Sequence, residues 1–340
     1  MKKDVVIIGG GIAGLTTAKF LAEEGVDFIL VEEHTDFFQK ACGEGIIPKI
    51  GEYDFFEDLY ESKTGIEREI DETIVHTKYG DLILPFHFVT TNKKLVEQEL
   101  FRQVKKKGGE VLMGSKVRSI EGDPPTILPQ GIEAKVVVGA DGVRSVVRKW
   151  MGINDPSLGF AVEGRAEKIP FDTCRVEIRK DVVPYGYAWF FPKREEWNIG
   201  IGAFEKGYKK YFSRKFDSFK RRFPEVKKWR GAFLPLSKPT RTYGKRSILI
   251  GDAASQIISS IGAGNTTSAI CGKIAAEVLI KFARRDFREM DLSLYEKRWK
   301  AELGKLFSLA NSLARLFFVI YGLSERLSIK FLKRMIEKYA

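Results

Sequence analysis

Length, composition and charge narrow the kinds of protein this sequence can encode. The chain has 340 residues, 44% hydrophobic and 30% charged, which is the balance of a globular protein large enough for two closely joined domains. Its three cysteines and three histidines are scattered, which argues against a disulfide framework, a metal site or a Ser-His-Asp centre and predicts a reducing, cytoplasmic setting. The net charge of +12 would attract anionic lipid or a phosphorylated substrate, whereas no motif supports nucleic-acid binding. The oligomeric state stays open.

The first 33 residues predict a nucleotide-binding strand–helix–strand unit. A short apolar strand ends at Ile8, and the glycines after it have the spacing G-x-G-x-x-G before an amphipathic helix begins. A second apolar strand leads to Glu32, eighteen residues past Gly14, where a carboxylate can accept hydrogen bonds from a ribose. The predicted dinucleotide contacts are Gly9, Gly11, Ile12, Ala13, Gly14, Glu32 and Glu33. NAD and FAD remain alternatives at this point.

The next part of the chain leaves the nucleotide-binding pattern. A small glycine-containing loop carries Cys42, and a lone cysteine is more often a small buried side chain than a reactive one. Residues 72–78 and 82–89 predict a β-hairpin, and a helix over 95–107 precedes strands over 111–113, 116–120 and 132–138. We expect no membrane-spanning segment, because no window approaches about 20 apolar residues.

The last of these strands runs into Gly139-Ala140-Asp141-Gly142, just before a short helix. Two interpretations of Asp141 stay open. It either caps the turn with its own side chain or delivers a second acidic group to the edge of the nucleotide-binding sheet.

Residues 160–204 are rich in strands and aromatic side chains. Tyr185, Tyr187, Trp189 and Phe191 alternate, so a strand there would place four rings on one face. Such a row packs into a core in most proteins, and the alternative is the apolar wall of a ligand cavity. The following segment, 208–229, predicts a basic, exposed, helical stretch.

A second candidate cofactor contact follows a buried strand over 247–250. The acid Asp252 at this strand end can accept from ribityl hydroxyls, and glycines 262 and 264 open a helix. The positive end of that helix can face a flavin ring where negative charge gathers on reduction, which favours FAD over NAD. The predicted contacts here are Gly251, Asp252, Gly262, Gly264 and Asn265.

The remaining residues, 292–340, predict basic helices. The amphipathic stretch 329–339 has apolar side chains on one side and basic ones on the other. Packing on the protein body and contact with a membrane surface are both open for this stretch.

Taken together, these motifs resemble the three cofactor signatures of FAD-dependent oxidoreductases of the p-hydroxybenzoate hydroxylase type. Within that group the chain resembles the geranylgeranyl reductase family, which includes archaeal digeranylgeranylglycerophospholipid reductases. The stretch 184–192 matches that family's P-x-x-Y-x-W-x-F-P motif, and 40–45 is similar to its K-x-C-G-x-G loop.

The resemblance implies an α/β protein: a Rossmann-type FAD-binding domain (1–70, 90–160 and 240–285), an interleaved antiparallel-sheet substrate domain (71–89 and 161–239) and a helical C-terminal region (286–340). It implies that Cys42 and Gly43 lie near the flavin, with Asp141 as a further cofactor contact. It also implies a prenyl-chain wall formed by Pro184, Tyr187, Trp189, Phe191 and Pro192. The implied activity is reduction of carbon–carbon double bonds in an isoprenoid lipid, with Cys42, Tyr187 and Trp189 as catalytic residues.

The implied electron donor is NAD(P)H or ferredoxin, and the implied location is the cytoplasm, with the inner face of the cell membrane as an alternative. The sequence departs from the family pattern at Ser259, where proline is common, at Asn265, where an aliphatic residue is common, and at 92–94, where an arginine is missing. Two rival functions remain open: a flavin monooxygenase of aromatic substrates and a membrane-surface electron-transfer flavoprotein.

Overall fold

The computed structural model describes residues 1–204 and 207–339; residues 205, 206 and 340, which belong to the predicted substrate domain and C-terminal region, lie outside the described residues. In the described part the strands are β1 (Lys2–Ile8), β2 (Phe28–Val31), β3 (Gly45–Ile46), β4 (Lys49–Ile50), β5 (Tyr53–Asp54), β6 (Ile66–Thr77), β7 (Gly80–Thr91), β8 (Glu110–Leu112), β9 (Ser119–Glu121), β10 (Thr126–Leu128), β11 (Ile132–Gly139), β12 (Leu158–Ala166), β13 (Arg175–Ile178), β14 (Gly186–Pro192), β15 (Trp197–Ala203), β16 (Trp229–Pro235), β17 (Tyr243–Gly244) and β18 (Ser247–Leu249).

The α-helices are α1 (Ile12–Glu23), α2 (Lys93–Lys106), α3 (Val146–Trp150), α4 (Phe212–Lys220), α5 (Asn265–Ala283), α6 (Ser293–Leu323) and α7 (Glu325–Tyr339). Short helical turns of other types cover Phe55–Leu59, Tyr208–Lys210 and Gly251–Ala254.

The first sheet is the predicted nucleotide-binding sheet. Its strands follow the order β17-β18-β11-β1-β2-β8, and the pairs from β18 to β8 are parallel. The inner strand β1 is apolar without alternation because both of its faces are covered: Val5 and Ile7 pack in the core shared with α1 and α5, while Val6 and Ile8 pack in a second core on the other face. The carboxyl ends of β1, β11 and β18 therefore meet at one edge.

The second sheet has the order β16-β12-β15-β14-β13-β6-β7-β3 and is antiparallel except between β13 and β6. The hairpin predicted over 72–89 is longer than expected, since β6 and β7 pair from residue 66 to residue 91. Together the two sheets confirm the predicted fold class, a Rossmann-type unit interleaved with an antiparallel substrate sheet and followed by helices.

The segment 208–229 corrects one expectation. The sequence predicted an exposed helical stretch, but only Phe212–Lys220 is α-helix, and Trp229 already begins β16. Phe212, Phe219 and Phe223 are buried against the outer face of the second sheet. The many lysines and arginines of this segment make it look exposed in sequence, although its apolar residues recur at helical spacing and form one buried face.

The C-terminal helices correct the expectation that no segment is long and apolar enough to span a membrane. Helix α6 contains an 18-residue stretch with a mean hydropathy of 1.6, so by length and composition it qualifies as a candidate membrane span. Its first half is a core helix, since Tyr295, Trp299 and Leu303 are buried in the core that α1 and α5 share. Only 22% of the apolar stretch is buried in the protein.

Candidate functional site

The turn between β1 and α1 is built so that three glycines do three different things. A methyl group on Gly9, whose φ is +106°, would lie 2.4 Å from the carbonyl oxygen of Ala140, so this turn packs directly on the end of β11. A methyl group on Gly14 would lie 1.9 Å from the Gly9 carbonyl oxygen, so α1 sits tightly on the strand. A methyl group on Gly11 would meet nothing within 4 Å, and Gly11 lines a large cavity. Gly9 and Gly14 shape the backbone, and Gly11 leaves room for a ligand.

Two helices begin at the wall of this cavity. Neither α1 nor α5 has a side chain capping its first backbone N–H groups, and neither has an acidic residue in its first turn. The cavity is lined at these ends by Gly11, Ile12, Ala13, Gly262, Gly264 and Asn265. Two uncapped helix N-termini that open into one cavity offer partial positive charge at two points, which suits a pyrophosphate and an electron-rich ring.

The acidic side chains predicted as cofactor contacts fall into two groups. Asp252 lines the cavity, where its carboxylate forms an ion pair with Lys40. Glu32 lies behind the glycine turn, and its Oε2 accepts a hydrogen bond of 2.6 Å from the Gly10 nitrogen. Glu33 pairs with Lys116 away from the cavity.

Asp141 does not line the cavity, which is bounded at this point by its neighbours Ala140 and Gly142. Its Oδ2 accepts from the backbone nitrogens of Val146 and Val147, at 2.7 and 3.5 Å, so the carboxylate caps α3. Burial raises the pKa of Asp141, and Oδ1 has no hydrogen-bond partner among the described residues. Of the two interpretations left open by the sequence, the structure supports the one in which the Asp141 side chain caps backbone groups.

The loop that carries Cys42 lies across the cavity between the two sheets. The Cys42 sulfur accepts a hydrogen bond from the Glu44 backbone nitrogen at 3.3 Å, and the Asn265 side-chain nitrogen is 3.9 Å away. The same Asn265 nitrogen donates to the Gly45 carbonyl oxygen at 3.0 Å. Asn265, noted as a departure from the family pattern, thus ties this loop to the N-terminus of α5.

The aromatic row of β14 forms the opposite wall. Tyr187, Trp189 and Phe191 line the cavity, whereas Ala188 and Phe190 between them pack into the core behind the sheet. The rings of this row therefore form a cavity wall, and the core packing that was the alternative is found on the opposite face of the strand. Against expectation, neither Pro184 nor Pro192 lines the cavity; they stand at the ends of the aromatic row.

Hydrogen bonds hold two of these rings in place. The Tyr187 hydroxyl donates to the Ile261 carbonyl oxygen at 2.6 Å, and the Trp189 ring nitrogen donates to Asn198 Oδ1 at 2.8 Å. Trp189 fits only because Gly200 faces it, since a methyl group there would lie 2.1 Å from the indole. Burial raises the pKa of Tyr187, so its hydroxyl stays neutral.

Glu44 joins the cysteine loop to the second sheet. Its side chain is 1% exposed, and Oε2 is bound by Arg165, by Lys193 at 3.0 Å and by Asn198 at 3.1 Å. Oε1 accepts from the backbone nitrogen of Lys93 at 2.8 Å. Burial works to raise the pKa of Glu44, but the Arg165 and Lys193 charges outweigh it and hold that pKa below its usual value. The cysteine loop is therefore fixed by a buried charge cluster.

Lys93 lies where the family arginine is missing, and it lines the same cavity. It is nearly buried, and its nitrogen is 3.6 Å from Glu97 Oε1. Burial works to lower the pKa of Lys93, but the acidic groups around it, Glu97 among them, outweigh it and raise that pKa. Lys93 therefore supplies a fixed positive charge beside the cysteine loop.

The cavity extends well beyond these groups, with a volume of about 540 Å³. Past the aromatic row it runs between the second sheet and the last two helices. Its apolar far end is lined by Val75, Leu84, Phe86, Val176, Leu313, Phe317, Phe318, Phe331, Leu332, Met335 and Ile336. The apolar side of the amphipathic stretch 329–339 therefore faces the cavity.

The residues at the near end fit FAD. Gly11 leaves open space beside an uncapped helix N-terminus where a pyrophosphate would lie, and Asp252 can accept from ribityl hydroxyls. The N-terminus of α5 supplies the positive end that a flavin ring needs. Fold and site together define an FAD-dependent oxidoreductase.

Comparisons with known proteins agree with this class. A family model described as FAD binding domain matches residues 2–230. The chain is 30% identical to the digeranylgeranylglycerophospholipid reductase of Methanosarcina acetivorans, over 88% of this chain and 81% of that protein. It is 28% identical to the protein of the same name from Methanocaldococcus jannaschii, over 87% of this chain and 82% of that protein. The chain belongs to the FAD-binding domain family, as a distant relative of archaeal digeranylgeranylglycerophospholipid reductases.

Solved structures share the whole fold. A geranylgeranyl bacteriochlorophyll reductase-like protein from Thermoplasma acidophilum aligns with a TM-score of 0.81 at 19% identity, over 99% of this chain and 91% of that one. A probable FAD-dependent monooxygenase from Pseudomonas aeruginosa aligns with a TM-score of 0.73 at 16% identity, over 99% of this chain and 100% of that one. These likenesses confirm the fold and leave the reaction to be argued from the site.

Sequence reasoning missed several parts of this site. Glu44 precedes β3, Arg165 is on β12, and Lys193 and Asn198 belong to the β14–β15 hairpin, so strand pairing within the second sheet brings three distant segments together. Each of these four is an unremarkable polar residue in its own stretch of sequence. The lining of the far end was also missed, because the amphipathic pattern of α7 reveals an apolar face but not what that face covers.

Proposed function

We propose that this protein uses FAD to reduce carbon–carbon double bonds of an isoprenoid chain carried by a prenyl phospholipid or prenyl diphosphate. The observation that carries the proposal is one cavity with two ends. At one end are the glycine turn, Asp252 and the N-terminus of α5, and at the other are apolar side chains of the second sheet and of both C-terminal helices. Tyr187, Trp189 and Phe191 line the passage between them.

The proposed reaction determines what the aromatic side chains that line the cavity must provide. FAD, when bound and reduced, supplies a hydride. An isolated trisubstituted double bond is not polarised, so protonation of one carbon must lead or accompany hydride transfer to the other, and positive charge builds up on carbon. Aromatic ring faces stabilise such charge by roughly 1–2 kcal/mol each when desolvated. Tyr187, Trp189 and Phe191 would serve this purpose and would exclude water.

Cys42 is our candidate for holding or positioning the transferred proton. Its sulfur lies on the loop that faces the aromatic row, since a methyl group on the next residue, Gly43, would lie 3.2 Å from the Phe191 ring and 3.4 Å from the Trp189 ring nitrogen. Hydrogen bonds to Asn265 and Glu44 set the orientation of this loop. Lys93 lines the same cavity and places a positive charge beside this loop.

The basic surface of the protein would attract the phosphate of the substrate, so we also propose a location at the inner face of the membrane, where such lipids reside. NAD(P)H and ferredoxin are our two candidates for the physiological electron donor, and dithionite replaces the donor in the following experiment.

The test is anaerobic turnover analysed by mass spectrometry. FAD-loaded protein is reduced with dithionite and mixed with a digeranylgeranyl glycerophospholipid or with geranylgeranyl diphosphate. The proposal predicts products heavier by two hydrogen atoms per double bond reduced. Unchanged lipid under these conditions, with oxygen-dependent product or peroxide from an aromatic substrate instead, would overturn it in favour of a monooxygenase. Electron transfer to a quinone with all double bonds intact would favour the electron-transfer alternative.

A further inference from the structure

The hairpin formed by α6 and α7 exposes an apolar surface to solvent. Its exposed aliphatic side chains are Leu309, Leu316, Val319 and Leu323 on α6 and Leu327 on α7. We call these five residues the outer face. They are 47–84% exposed, and Leu323, next to the turn, is the most exposed of them. On α6 they recur every three, four or seven residues, so they form one continuous stripe along the helix.

This stripe is the reason why α6 qualifies by composition as a membrane span, yet the helix is not free to cross a bilayer. Its opposite side is engaged: Phe307 and Tyr321 are buried, and Leu313 and Phe317 line the cavity. Crossing a membrane would expose the cavity and break this packing. A helix with one side committed to the protein and one apolar side exposed can instead lie in the plane of a membrane surface.

Charged side chains beside the stripe indicate which surface it fits. Arg315, Arg326, Lys330 and Arg334 are all exposed, and none has an acidic partner within the described part of the chain. Arg326, Lys330 and Arg334 are four residues apart and share one face of α7. Glu325, the nearby acid, accepts a hydrogen bond from the backbone nitrogen of Lys180. A basic rim beside an apolar stripe complements anionic lipid headgroups over an acyl interior.

The same two helices form part of the cavity. Leu313 and Phe317 of α6 and Leu332 and Met335 of α7 line its far end, while the outer face lies on the other side of the hairpin. A layer only one helix thick therefore separates the cavity from the outer face.

We propose that the outer face of the α6–α7 hairpin docks on an anionic lipid bilayer, with Leu316, Val319, Leu323 and Leu327 in the headgroup–acyl boundary and the basic side chains of α7 on the headgroups. Docking would bring the cavity within one helix of the acyl layer. Its purpose, the capture of a prenyl chain from lipid, rests on the proposed function. For 329–339 the sequence left packing on the protein body and membrane contact both open; its apolar side lines the cavity, and most of the exposed apolar surface is on α6.

The test is co-sedimentation of full-length, FAD-loaded protein with extruded vesicles. The vesicles contain phosphatidylcholine alone or with about one third phosphatidylglycerol. We expect binding to the anionic vesicles that weakens with added salt. The double variant Leu316→Ser/Leu323→Ser should bind about tenfold more weakly or worse, because two apolar side chains no longer enter the lipid. Lys330→Gln/Arg334→Gln should lose on the order of tenfold at low salt.

The matched control is Leu95→Ser/Leu112→Ser, which removes two exposed leucines from the nucleotide-binding half and should bind like the unmodified protein. Circular dichroism and the FAD content of each variant establish that it folds, and the lysine–arginine variant removes no packed side chain. Full binding by the Leu316→Ser/Leu323→Ser variant, or no binding by the unmodified protein, would overturn the proposal.

A third result would also overturn it. If sedimentation velocity without vesicles shows a dimer that Leu316→Ser/Leu323→Ser converts to a monomer, the outer face is an interface between copies of this chain. Turnover of detergent-dispersed prenyl lipid separates the two proposals. Turnover without vesicle binding overturns docking alone, whereas vesicle binding without turnover overturns the proposed function alone.

Discussion

The two ends of the cavity differ in whether backbone groups or side chains form their lining. The cofactor end is mostly backbone: a turn whose glycines pack on β11 and α1, and two helix N-termini without caps. The substrate end is made of side chains, with rings on β14 and aliphatic groups on the C-terminal helices. A ligand of fixed shape that is held by backbone groups requires a fixed spacing of residues along the sequence. A wall around a flexible chain requires only apolar side chains that fill the space. The cofactor end therefore leaves a local sequence pattern, and the far end does not.

The first prediction concerns the backbone end and has the largest expected effect. Gly14→Ala places a methyl group 1.9 Å from the Gly9 carbonyl oxygen, so α1 must move off the strand. We expect protein without bound FAD, and a loss of stability above about 4 kcal/mol. Flavin absorbance per protein and urea unfolding measure both. The control is Gly304→Ala on α6, where a methyl group has space 3.6 Å from Lys300, and which should gain up to about 1 kcal/mol.

The second prediction concerns the buried charge cluster around Glu44, which fixes the cysteine loop to the second sheet. Glu44→Ala leaves Arg165 and Lys193 without their buried partner, which should cost about 3 kcal/mol of unfolding free energy. Denaturant unfolding checks this value. Glu72→Ala removes an exposed carboxylate from β6 and should change stability by less than about 0.5 kcal/mol. Equal stability of the two variants would mean that the charge cluster does not fix the cysteine loop.

The third prediction concerns the side-chain end. Trp189→Ala should keep FAD and lower turnover of prenyl lipid by roughly 5- to 30-fold, because one ring face is worth about 1–2 kcal/mol to the developing positive charge. The control is Trp197→Ala on the neighbouring strand, whose ring packs behind the sheet against Phe171. That variant should lose stability but not turnover. Loss of FAD together with turnover in Trp189→Ala would indicate a core residue instead.

The sequence predicted which turns form the cofactor end, but not which of their acidic side chains face the cavity, since Glu32, Glu33 and Asp141 do not line it. Gly11, Asp252 and Gly264 line the cavity as their spacing implied, because strand–turn–helix geometry is local. It could not foresee that the Asp141 carboxylate turns to α3, since a helix cap and a ligand contact call for the same residue. Nor could it place Glu44 with Arg165, because strand register between distant segments decides that contact.

The fourth prediction has the smallest effect and tests the charge cluster through pH. The pKa of Glu44 is held below its ordinary value of 4.5, so its contribution to stability is complete above about pH 4.5 and is lost as pH falls through the folded-state pKa. Unfolding free energy measured as the pH is lowered from about 5 to about 3 should therefore fall more steeply in the unmodified protein than in Glu44→Gln. The difference between the two proteins isolates Glu44 from other carboxyls. Parallel curves would contradict the assigned pKa direction.

If one cavity holds both the flavin and the isoprenoid chain, the lipid itself should reoxidise the reduced flavin, and anaerobic stopped-flow absorbance measures that step. FAD-loaded protein, reduced with one equivalent of dithionite, is mixed with digeranylgeranyl lipid or with its fully saturated counterpart. We expect flavin absorbance to return with the unsaturated lipid and to stay bleached with the saturated one. Bleached flavin in both mixtures, or equal return in both, would contradict this expectation.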